Sequence, residues 1–132
     1  MATAIRHEIR TISEEERTAF FTAMNIMKTF SLTEGTALYG TKFRTLDYLI
    51  RKHAAAVLDS ECDQGHYGPA FLTFHEALLR EYELSIMAID ERIQGLPYWN
   101  WFVDNDGYGD ISESSMWSQY LGSYYGDPYR HY

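Results

Sequence analysis

The chain has 132 residues, a formal net charge of −8 and a pI near 5.0, and 16% of it is aromatic. That is enough for one domain, expected over residues 1–132 around a ring-rich core, and not for a second full core. So few Lys and Arg exclude nucleic-acid phosphates as partners, and no apolar run approaches the roughly 18 residues that a membrane span needs.

The N-terminal run Met1–Glu8 has no apolar core of the kind a signal peptide carries, so no signal peptide is visible, and the compartment stays open. A single cysteine, Cys62, excludes an intrachain disulfide framework.

Residues 1–12 are expected to form an extended lead-in anchored by Ile5, Ile9 and Ile12. Ser13 and Glu16 read as a capping box for a helix over about 14–29, with acids in its first turn facing the positive helix end. Residues 31–41, with Ser, Thr and two Gly, read as a loop. A second helix is expected over about 42–58, with Phe43, Leu46, Leu49, Ile50, His53 and Val57 in one stripe. The polar stretch 59–69 reads as a tight connection. A third helix over about 70–90 carries Phe71, Phe74, His75, Leu78, Leu79, Tyr82, Ile86 and Ile89 on one broad face. Residues 96–132 hold seven of the eleven Tyr and all three Trp, so this segment reads as an irregular aromatic wrap with enough ring area to bury.

Histidine is the residue type in the wrong place. His53 and His75 lie within apolar stripes, and a buried imidazole left unpaired costs about 1–3 kcal/mol. One such histidine reads as a hydrogen-bonded core residue. Two on successive helices, with His66 in the connection between them, also form a nitrogen-only donor set with an open position, which suits copper or zinc. Spacing alone leaves both readings open.

The run from His66 to Glu83, with His75 nine residues after the first histidine, resembles the first copper motif of tyrosinases and molluscan hemocyanins. The run Leu96-Pro97-Tyr98-Trp99-Asn100-Trp101 is similar to the same family's Leu-Pro-Tyr-Trp-Asp-Trp signature, and Ser115-Met116-Trp117 fits that region. Upstream, Ile9–Arg17 resembles the family's opening helix, and Leu46–His53 its first ligand helix. The resemblance implies a mainly α fold: half of a type 3 copper four-helix bundle, built here from about three helices and the aromatic-rich C-terminal segment. It implies copper as cofactor, one per chain, with His53, His66 and His75 as ligands. Phe71 would pack beside the metal pocket, and Glu83 would close the motif as a supporting or structural acid. The family is often secreted.

Two departures bear on the site. The family's Trp-His-Arg is Phe74-His75-Glu76 here, so a negative charge at Glu76 stands beside the third ligand where the family has a positive one. Asn100 replaces an acid in the aromatic motif. A larger departure concerns the family's second copper site, which takes a His-x-x-x-His pair and one further His. After His75 these residues offer only His131. Two-electron reduction of O2 draws one electron from each of two Cu(I) ions, so a single site cannot perform it.

The expected function is therefore that of a copper oxidoreductase of tyrosinase or catechol-oxidase type. It would use O2 to oxidise phenols or catechols at a dicopper site completed by a second chain. That chain is either a second copy, forming a homodimer that covers the open apolar helix faces, or a complementary second-half chain. The alternative is a non-catalytic O2-binding or structural protein with a mononuclear copper or zinc site. Cys62 reads as an ordinary thiol, and His7 and His131 as surface residues. Asp104–Asp110 fails the calcium-loop template, with Tyr108 at a ligand position and Ser115 where the bidentate acid belongs.

Overall fold

Three consecutive acids behind Ser13 favour a helix start, and the first helix begins there. The computed structural model describes residues 4–58, 63, 65–104, 114 and 116, and helix α1 runs Glu14–Thr29. The Ser13 hydroxyl accepts the Glu16 N–H at 3.1 Å. The expected capping box is only half formed. Glu16 is buried, and its carboxylate accepts the Gln94 N–H at 3.0 Å, tying the start of α1 to the chain beyond the last helix.

Residues 31–41 are not a loop. Leu32–Tyr39 form helix α2, started by a complete capping box in which Ser31 accepts the Glu34 N–H and Glu34 accepts the Ser31 N–H. Its glycines, which favour a loop reading, have other roles. A Cβ at Gly35 would stand 2.0 Å from the Phe43 ring, so the ring occupies the space that any side chain would need. Gly40 ends the helix at φ +85, a left-handed conformation that glycine adopts without steric cost.

The expected helix over 42–58 is shorter at its start. Helix α3 spans Leu46–Val57, with Thr45 accepting the Tyr48 N–H. Residues 43–45 are held out of the helix by Ser85, which is fully buried. Its hydroxyl accepts the Arg44 N–H at 2.9 Å and donates to the Arg44 carbonyl at 3.1 Å. Phe43 is thus a core residue without being part of the α3 stripe; its ring stacks on Tyr39 at 5.8 Å. Helix α4 spans Ala70–Ile89, close to expectation.

Helix α1 packs against α3 and α4, and α3 packs against α4. The core here consists of Ala19, Phe20, Phe21, Ala23, Met27, Phe43, Leu49, Ile86 and Ile93. The apolar stripes of α3 and α4 are only partly buried, contrary to their reading as core faces. Leu49 and Ile86 lie inside, whereas Ile50 is 58% and Phe71 42% exposed, because no further helix covers that face among the described residues.

The chain divides into two compact units, Met1–Arg6 with Ser13–Leu96, and His7–Ile12 with Pro97–Tyr132. All four α-helices among the described residues belong to the first. There Ile5 donates its N–H to the Gln94 carbonyl at 3.0 Å, so it anchors through its backbone while its side chain stays exposed. In the second unit Glu8 and Tyr98 form a parallel bridge, and Ile9 and Ile12 are buried as expected. Arg10 pairs there with Glu8 and with Asp104, which also accepts the Trp99 indole N–H at 2.6 Å. A short 3-10 turn, Trp101–Val103, follows. Most of the aromatic C-terminal segment lies outside the described residues. The described part is mainly helical and contains no strand.

A candidate metal centre

The facing sides of α3 and α4 are fixed by charge as well as by packing. The Lys52 ammonium pairs with the Glu81 carboxylate, and the Arg44 guanidinium lies 3.5 Å from the same acid. The hydrogen bond from Lys52 outweighs partial burial and, with the charges of Lys52 and Arg44, holds the Glu81 carboxyl below its ordinary range. The next residue along α3 is His53.

Across the cleft, α4 presents His75 in its second turn, and the turn before α4 presents His66. The ring centroids are 5.1 Å apart for His53 and His66, 5.5 Å for His53 and His75, and 5.7 Å for His66 and His75. One ring nitrogen from each lies within 4.8 Å of the others. His53 and His75 are half-buried and His66 is exposed, so the cluster has a sheltered floor and an open side.

Two of the rings are oriented from behind. His75 Nδ1 lies 2.9 Å from the Phe71 carbonyl oxygen, and His66 Nδ1 lies 3.1 Å from Asp63 Oδ2. Asp63 Oδ1 accepts the N–H groups of Gly65 at 3.0 Å and His66 at 2.8 Å. Partial burial would raise the Asp63 carboxyl, but these donors together hold it below the usual carboxylate range.

The donor set fits a late first-row metal. Three imidazoles with no thiolate or carboxylate suit copper or zinc. Metal–nitrogen bonds of about 2.0–2.1 Å put ligand nitrogens roughly 3.3–3.6 Å apart. The cluster reaches that geometry by closing about 1 Å.

The other site candidates fall in different places. The Phe71 ring lies 4.6 Å from the His75 ring and is 42% exposed, and the Phe74 ring meets His75 edge-on at 5.2 Å. Glu76 faces outward, its carboxylate 3.5 Å from Arg6. Glu83 is 2% exposed and stands eight residues beyond His75, about 12 Å along the helix. It accepts from Arg6 at 2.8 Å, Arg80 at 2.6 Å and the Leu96 N–H at 3.2 Å, binding the lead-in, α4 and the following segment together. His7 is exposed, while His131 and Cys62 lie outside the described residues.

Sequence reasoning missed Asp63. Its signal was a short acceptor three residues before a turn-borne histidine, the arrangement of a side chain that caps its own turn.

The family model described as the common central domain of tyrosinase matches residues 25–129. The chain is 28% identical over 124 residues to a protein described as putative tyrosinase-like protein tyr-3 from Caenorhabditis elegans. That alignment covers 93% of this chain and 15% of the relative, so the chain spans a small part of that relative's length. No solved structure gives a significant match.

Proposed function

The chain belongs to the tyrosinase family, and from that premise we propose that His53, His66 and His75 hold one copper of a catechol-oxidase-type dicopper oxidoreductase. The observation that carries the proposal is the convergence of three imidazoles with ligand atoms within 4.8 Å. Bound copper would supply the electrons that reduce O2. Two catechols would each give up two electrons and two protons to one O2, yielding two quinones and two waters.

The chain's own residues would hold the metal. The Phe71 carbonyl and Asp63 carboxylate fix the backs of two rings, and the Phe71 and Phe74 rings pack against His75. Among the described residues there is one three-histidine group, so the second copper has to come from another set of ligands. The proposed source is a second copy of the chain. Beside His53, a groove of about 230 Å³ lined by Leu46, Leu49, Ile50, Leu78, Leu79 and Tyr82 opens between α3 and α4. An isologous dimer burying these faces would bring two sites together.

The single cluster also favours a second reading, a mononuclear copper or zinc centre without oxidase chemistry. Copper content, solution mass and O2-dependent catechol oxidation measured across a dilution series separate the two. The dicopper proposal expects one copper per chain and an activity that falls with the dimer population. Oxidation by a monomer contradicts the shared site. A metal-loaded dimer with no oxidase activity selects the mononuclear reading.

A further inference from the structure

We infer that Asp63 is a positioning residue that presents His66 to the metal in a single tautomer. The inference rests on the three-histidine reading above. A neutral imidazole has one N–H and one lone pair, and a carboxylate oxygen with no proton only accepts. With Asp63 Oδ2 at 3.1 Å, the His66 proton belongs on Nδ1 and the lone pair on Nε2, the nitrogen left free to meet a metal. His75 receives the same instruction from the Phe71 carbonyl at 2.9 Å.

His66 needs this more than its neighbours do. His53 and His75 are carried on helices, whereas His66 sits in a turn before α4. Asp63 Oδ1 holds that turn through the Gly65 and His66 N–H groups, and Oδ2 holds the ring. One carboxylate therefore fixes both the backbone and the tautomer of this residue.

The two roles separate in Asp63→Asn. The amide oxygen can still accept both backbone N–H groups, so the turn survives. The amide NH2 then faces Nδ1, and two donors cannot pair, so the ring proton moves to Nε2 and the ligating lone pair is lost. The reversed amide would set NH2 against two backbone N–H donors, which is worse.

The test is long-range proton–nitrogen NMR on 15N-labelled, metal-free protein at a pH where the imidazoles are neutral, with copper and zinc titrations alongside. Wild-type His66 is expected protonated on Nδ1. Asp63→Asn is expected to keep the helical circular dichroism, to move the proton to Nε2, and to bind either metal about 10- to 100-fold more weakly. A role confined to the turn predicts instead that Asn restores wild-type affinity, and that result overturns the inference. A wild-type His66 protonated on Nε2 overturns it without any variant, so it stays testable even if Asp63→Asn fails to fold. If the tautomer is as expected but the wild type binds neither metal, the metal reading falls while the Asp63–His66 pairing stands.

Discussion

His75 Nδ1 lies 2.9 Å from the carbonyl oxygen of Phe71, one turn earlier on α4. The carbonyl can only accept, so this hydrogen bond puts the ring proton on Nδ1 and leaves the Nε2 lone pair free. The contact belongs to the Phe71 backbone rather than its ring. Phe71→Ala should therefore keep one copper per chain, with affinity falling only severalfold through lost ring packing. Copper titration checks this, and loss of the metal would make the aromatic ring itself indispensable.

Glu76 places a negative charge next to His75 where the family has a positive one, and its carboxylate lies 3.5 Å from the Arg6 guanidinium. The pair is exposed, so Glu76→Arg should change unfolding stability by less than about 1 kcal/mol. Replacing an anion by a cation near the centre should weaken copper binding severalfold, and less so at high salt. Unfolding of the variant would show that Glu76 supports the structure.

Gly35→Ala should destabilise the protein even though alanine is the better helix former. The new Cβ would meet the Phe43 ring at 2.0 Å, and Phe43 is fully buried with no room to withdraw. Overpacking costs about 1–3 kcal/mol against a propensity gain of about 1 kcal/mol. A lowered urea midpoint is expected; a raised one would mean that Phe43 repacks freely.

Glu83 should contribute to acid sensitivity. Burial alone would raise its carboxyl, but hydrogen bonds from Arg6, Arg80 and the Leu96 N–H outweigh it and hold the group below its ordinary 4.5. A carboxyl depressed in the folded state stabilises the protein above 4.5 and loses that contribution as pH falls through its lower folded value. Glu83→Gln should cost about 2 kcal/mol at neutral pH and flatten the loss of stability in acid. Urea melts at neutral and acid pH measure both, and an unchanged acid limb would assign the sensitivity to other carboxylates.

The long helices were legible because α1, α3 and α4 carry periodic apolar stripes, and so was the convergence of His53, His66 and His75. Helix α2 was not, since its glycines read as loop signals, and only the position of Phe43 shows why Gly35 is there. The true start of α3 depends on Ser85, forty-one residues away, which no local pattern carries. Periodicity also marked Ile50 and Leu79 as core because it reports which residues share a face and not whether anything covers that face. Glu83, read as part of the copper motif, is a structural tie by its contacts.

Copper stoichiometry of the histidine variants tests the central claim most directly. Wild type and His7→Ala should each hold one copper per chain, while His53→Ala, His66→Ala and His75→Ala should each lose it with their helical circular dichroism intact. Equal copper in all five proteins would contradict the assignment of the metal to these three histidines.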